Sequence, residues 1–184
     1  EEFVIGVGEN FKNFDLHVVS SDPYNNLLKL SDSGILPNIT FVQLENLEKT
    51  NIEFLSSLKI NPAICVGSNL NNWKDFIKES SRMLVMTTIP GISGGKFNEE
   101  TYDFINSVKK INSNIKIYVD GGVNKSNFEK LRYLGVHTVV IGSYLAGADN
   151  WKRNYSDLVK KLDASSKIGN LSEEIFELPY VKDK

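Results

Sequence analysis

Short runs of β-branched and other apolar residues recur along this chain, and most are followed by a stretch whose apolar positions return every three or four residues. The runs predict strands over 14–19, 38–44, 62–66, 83–88, 116–119 and 138–141. The longer-period stretches predict helices over 24–33, 47–58, 70–77, 99–108, 127–134 and 150–162. Punctuation agrees with this reading. The turn signal Ser20-Ser-Asp-Pro23 closes the first strand, and Gly34 and Gly135 stand where helices should stop. Glu99 and Glu100 are expected in the first turn of their helix and Lys109-Lys110 at its end, matching the helix dipole. Glu2-Phe-Val-Ile-Gly-Val-Gly8 reads as a strand or as an irregular opening segment.

The strands are largely apolar runs without polar alternation, as expected of parallel strands buried on both faces. Six βα units without an internal linker fit either a (β/α)8 barrel or an open doubly wound sheet. Two strand ends favour the barrel. Ile115-Lys-Ile-Tyr-Val-Asp-Gly-Gly-Val-Asn124 and Thr138-Val-Val-Ile-Gly-Ser143 both run into small residues, and consecutive turns of that kind form the phosphate cup of many barrels. Asp120 is the last strand residue before its glycines, where barrel enzymes place acids and bases. Six units fall short of the eight strands of a closed barrel. The expected organisation is a phosphate-binding barrel domain over 1–163 and a polar tail or strap over 164–184, with one apolar cluster, Ile175-Phe-Glu-Leu178.

Composition narrows the partners. The 184 residues are 41% hydrophobic, with a net charge of −2, a pI near 5.8 and no basic block, which disfavours nucleic acid and anionic membrane as partners. No apolar run approaches the roughly 20 residues of a membrane helix. Cys65, in Ala63-Ile-Cys-Val66, is the single cysteine; it is expected to be a buried small hydrophobe, and its solitude fits a reducing cytoplasm. The chain does not open with Met, so a start upstream of Glu1 is expected. Gly6-x-Gly8 lacks the third glycine and ribose-binding acid of a dinucleotide fingerprint.

Met86-Thr-Thr-Ile-Pro-Gly-Ile-Ser-Gly-Gly-Lys-Phe97, Val119-Asp-Gly-Gly-Val123, and Ile141-Gly-Ser143 with Gly147-Ala-Asp149 resemble, in order and spacing, the last three strands of the ribulose-phosphate 3-epimerase family. Leu16-His-Val-Val19 followed by Asp22-Pro23 resembles that family's third-strand motif. The resemblance implies a TIM barrel that interconverts ribulose 5-phosphate and xylulose 5-phosphate. One carboxylate removes the C3 proton and a second returns it on the opposite face, through an enediolate held on a divalent Zn, Fe or Mn. Carried over by position, it implies Asp120 as acid/base and metal ligand, His17 as metal ligand, and Met86 in the substrate pocket. Gly94, Gly121, Gly122, Gly142 and Ser143 would hold the phosphate, and a homo-oligomer is expected.

The chain also departs from the family. No His-x-Asp pair, the second strand's source of two ligands and the other base, precedes Phe14. Ser93 stands where a glycine is usual and Gly95 where a glutamine is, and the fifth strand ends in Val66-Gly-Ser-Asn69 instead of Asn-Pro. His17 and His137 are the only histidines, and His137 precedes its strand, at the opposite barrel end. Each candidate has a plain alternative: a turn aspartate for Asp120, a hydrogen-bonded structural histidine for His17, tight-turn geometry for the glycines, and solvated side chains for Glu45 and Lys96. Two function classes follow, an epimerase-type enzyme and a non-catalytic barrel that binds a phosphosugar or phosphate without metal. A decarboxylase or synthase relative is disfavoured, because no Asp-x-Lys-x-x-Asp array is present.

Overall fold

The structure is a computed structural model that describes residues 13–45, 60–92 and 94–166, the side chains of 163–166 excepted. The expected segment Glu2–Gly8, the helix 47–58, Ser93 and the chain beyond 166 lie outside the described residues.

Six parallel strands form one sheet: β1 (Asp15–Val18), β2 (Ile39–Gln43), β3 (Asn61–Cys65), β4 (Arg82–Met86), β5 (Lys116–Asp120) and β6 (Thr138–Val140). Their order in space is their order in sequence. A doubly wound sheet reverses direction at a switch point; this one never does, which leaves the barrel of the two sequence-based alternatives. The sheet also curls. The rings of Phe41 on β2 and Tyr118 on β5 lie 5.0 Å apart, centroid to centroid. Three flat inter-strand spacings would hold those strands about 14 Å apart. Among the described residues the fold is an incomplete (β/α) barrel.

Alternate residues on each strand build two layers, as the pleat requires. One phase contributes Phe41, Ala63, Leu84, Met86 and Tyr118 to a small cluster inside the curl. The other contributes Val42, Ile64, Val85, Ile117 and Val119 to the larger core, with Ile77, Ile105 and Leu131 from the helices. That larger core is where most of the apolar burial lies.

Helices connect the strands: α1 (Pro23–Asp32), α2 (Lys74–Glu79), α3 (Thr101–Ile111), α4 (Phe128–Tyr133), α5 (Ser143–Ala146) and α6 (Trp151–Ser166). Asp22 caps α1 by accepting from the Asn25 backbone N–H at 3.3 Å, with Pro23 in the first turn, where its missing N–H costs nothing. Both expected glycine stops are made the same way. Gly34 (φ 72°) and Gly135 (φ 68°) adopt the left-handed conformation. Ile35 N–H then reaches Leu30 O at 3.2 Å, and Val136 N–H reaches Leu131 O at 3.2 Å.

Some elements differ from expectation. The helix expected over 70–77 is a 3-10 turn, Leu70–Trp73, capped by the Asn69 side chain on the Asn71 N–H, leading into α2. α3 starts at Thr101 rather than Glu99, since Asn98 organises the turn before it: its side chain accepts from Glu100 N–H at 2.9 Å. α5 was not expected at all, and α6 runs through Ser166, past the helix end expected at Leu162.

Candidate functional site

The inner phase of the sheet sets the site. Register aligns Cys65, Met86, Asp120 and Val140 in one row across β3 to β6, at the C-terminal ends of the strands. His17 and Gln43 continue that phase on β1 and β2. The sequence therefore placed Asp120 correctly as the last residue of its strand. Burial raises its carboxyl above the usual aspartate range, opposed by the charge of His17 and by a hydrogen bond from the Gly121 N–H. His17 is half-buried, and that burial lowers its imidazole, against the Gln43 hydrogen bond and the charges of Asp120 and Glu45. These two residues thus feel one another across the curl, although three strands separate β1 from β5.

The tip of β5 is clamped from β4. Thr87 N–H donates to Asp120 O at 2.8 Å, and the Thr87 hydroxyl donates to Gly121 O. Gly121 (φ 110°) and Gly122 (φ 61°) then turn the chain. Neither could carry a side chain: a Cβ on Gly121 would come within 2.5 Å of Thr88 Oγ1, and one on Gly122 within 2.4 Å of Phe97 N. The loop after β4 is therefore laid directly on the loop after β5. The Gly122 carbonyl accepts from Asn124 Nδ2 at 3.0 Å and Asn127 Nδ2 at 3.1 Å, so the acceptor of this turn is satisfied within its own loop.

The remaining expected residues fall as follows. Met86 is buried in the inner cluster, in the same row as Asp120, and so belongs to the floor of the curl. Gly94 is exposed with φ 80°, and a Cβ there meets open space. Gly142 is exposed, with open space about it, and precedes Ser143, the first residue of α5. Gly142 and Ser143 follow closely on Val140, the register partner of Asp120, so the tips of β5 and β6 are neighbours. His137 begins the turn into β6, accepts or donates at Thr138 Oγ1 (2.8 Å), and stacks on Tyr118 at 5.4 Å. It is at the other end of the strands from Asp120, as expected.

Sequence reasoning passed over Gln43 on β2, and of the two readings of the strand-end Glu45, a polar pocket residue or a solvated glutamate, it preferred the second. Gln43 is 1% exposed; it meets His17 Nε2 at 2.9 Å through Oε1, and donates from Nε2 to Glu45 Oε2 at 2.5 Å. Glu45 also accepts from the Cys65 N–H and the Ser68 hydroxyl, each at 2.6 Å. Glu45 is exposed but fully engaged, so a freely solvated loop glutamate is the wrong description. A glutamine at an inward position of an apolar run was the available signal. Cys65 is only partly buried; desolvation and the neighbouring Glu45 push its thiol up to about 11, which keeps it a protonated, unreactive side chain at neutral pH.

An imidazole and a carboxylate are donors that Zn, Fe or Mn accept. Among the described residues, however, no three His, Cys, Asp or Glu side chains come together to hold a metal ion. Two donors fall short of the three protein ligands a catalytic zinc takes. The described residues by themselves do not make a metal centre.

No helix among the described residues is long and apolar enough to cross a membrane. By overall shape the chain is similar to solved structures at low identity. One is described as native KDPGal, with TM-score 0.54 and 14% identity over 91% of this chain and 76% of that one. Another is phosphoribosyl anthranilate isomerase from Thermus thermophilus, with TM-score 0.54 and 14% identity over 87% and 78%. Curated relatives carry the name ribulose-phosphate 3-epimerase. The Aquifex aeolicus protein is 27% identical over 73% of this chain and 63% of its own length. That of Buchnera aphidicola subsp. Baizongia pistaciae is 32% identical over 64% and 55%, and that of Helicobacter pylori 29% identical over 59% and 54%. The chain thus spans little more than half the length of these relatives. The sequence profile of the ribulose-phosphate 3 epimerase family matches residues 39–146, which include Asp120 and both glycine-bearing tips and leave out His17. By that match, the chain belongs to the ribulose-phosphate 3-epimerase family.

Proposed function

We propose that this chain carries out epimerase chemistry on a phosphosugar, interconverting ribulose 5-phosphate and xylulose 5-phosphate at C3, with Asp120 as the proton-transferring base. The observation that carries this reading is the position of Asp120: at the inner end of β5, desolvated, beside two neighbouring glycine-bearing tips. A raised carboxyl is a stronger base in its ionised form, which brings it closer to what removal of a proton α to a carbonyl demands. Gly94, Gly121, Gly122, Gly142 and Ser143 bind the phosphate through backbone amides and one hydroxyl. That contact supplies remote binding energy to hold C3 over Asp120.

A second reading is favoured by the two-donor count at His17 and Asp120: a barrel that binds the phosphosugar without turning it over. Proton exchange separates the two. Incubated with ribulose 5-phosphate in D2O, the enzyme incorporates deuterium at C3 and accumulates xylulose 5-phosphate. Binding of the sugar phosphate without exchange supports the second reading. Zn, Fe or Mn copurifying in stoichiometric amount supports the first, and indicates donors beyond those described.

A further inference from the structure

The hydrogen bonds on the inner face fix more than the place of His17. Glu45 Oε2 lies 2.5 Å from the carboxamide nitrogen of Gln43. A carboxylate accepts and does not donate, so it requires an N–H on that side of the amide. The reversed amide would set two acceptor oxygens against each other at that distance. Cys65 Sγ, 3.4 Å from the same Nε2, accepts a second N–H. Gln43 Oε1 is thereby turned toward His17, where it meets Nε2 at 2.9 Å. An amide oxygen only accepts, so the imidazole must donate from Nε2. In the neutral ring the remaining nitrogen, Nδ1, keeps its lone pair.

We infer that Gln43, anchored by Glu45, is a positioning residue that holds the His17 imidazole with its proton on Nε2 and leaves Nδ1 as the accepting nitrogen of the ring. The anchor is itself secured. Glu45 Oε1 takes the Cys65 N–H and the Ser68 hydroxyl, which ties the tip of β2 to the loop after β3 and denies the carboxylate other orientations. Gln43 is fully buried, so water does not compete for its amide. A defined accepting nitrogen matters to a hydroxyl-rich ligand, because a ring free to exchange tautomers offers a donor or an acceptor at random. That functional value rests on the proposed phosphosugar reading; the location of the proton does not.

The test is long-range 1H–15N correlation of the imidazoles in the 15N-labelled full chain at pH 8, with His137→Gln to assign the two histidines. The expected result is a His17 Nε2–H resonance protected from exchange with water and a pyridine-type Nδ1. Gln43→Leu and the isosteric Glu45→Gln should each speed exchange of that proton at least tenfold, while backbone amide shifts away from β1–β3 stay in place. A proton on Nδ1 in the parent protein overturns the inference, as does an unchanged Nε2–H resonance in either folded variant. Glu45→Gln decides the matter should Gln43→Leu not fold. No turnover is measured, so a failed epimerase assay would leave this result standing.

Discussion

Asp120 gives up much of its water to the wall of β4 and β5, and its carboxyl responds by favouring the protonated state. The consequence for stability has a definite sign. The neutral acid contributes stability at pH values below the unfolded-state pKa, and that contribution is lost as pH rises through the raised folded value. Asp120→Asn should therefore melt at a higher temperature than the parent at pH 7, with the difference closing toward pH 4; scanning calorimetry at both pH values checks it. Gly122 is a residue whose identity is set twice, by φ 61° and by Phe97 N only 2.4 Å from where a Cβ would stand. Gly122→Ala should cost about 1–2 kcal/mol from the backbone alone and should displace the loop after β4, which a lower melting temperature and weaker inorganic phosphate binding would both register. Cys65, with its thiol pushed up to about 11, should alkylate slowly with iodoacetamide at pH 8 and accelerate only as pH approaches that value. Ready alkylation of the folded protein at pH 8 would contradict the Glu45 contact.

At the level of the element, what could be read from sequence was what is encoded locally. Gly34 and Gly135 both end their helices in left-handed geometry, and every one of the six expected strands is present within a few residues of its expected bounds. The late start of α3 has a local cause. Asn98 spends its side chain on the Glu100 N–H in a turn of its own, which delays a helix whose apolar spacing suggests an earlier start. Gln43 was illegible for a different reason: its partners, His17 and Cys65, are 26 and 22 residues away along the chain, and only the parallel register brings them together. Asp120 needed no such pairing to be found, because its strand and glycine turn are contiguous in sequence. Gly135→Ala tests the stop at the end of α4. A Cβ there would meet Lys109 Nζ at 2.8 Å in addition to the φ penalty, so a loss of about 1–2 kcal/mol in urea unfolding is expected.

For the molecule as a whole, sequential strand order and curl place two separate apolar layers around one sheet, and the larger, helix-facing layer carries the stability. Leu131 and Ile105 are fully buried in it. Either residue changed to Ala should cost about 2–5 kcal/mol, whereas a change at exposed Tyr133 on the same helix as Leu131 should cost little; denaturant midpoints report the contrast. The upper row of the smaller inner layer carries His17, Gln43 and Asp120 among apolar neighbours, and the proposed proton transfer falls on Asp120 in that row. At the edge of the sheet the inward-phase Val140 remains 37% exposed, since no seventh strand covers it among the described residues. Barrel curvature is what brings His17 and Asp120, four strands apart in order, into one electrostatic environment; a flat sheet of the same sequence order would hold them apart.

The measurement that bears most directly on all of this is deuterium incorporation at C3 of ribulose 5-phosphate in D2O, followed by mass spectrometry for the parent chain and for Asp120→Asn. The parent should label the sugar and Asp120→Asn should lose at least a thousandfold in rate while remaining folded. Equal labelling by both proteins would remove Asp120 from the chemistry and contradict the account.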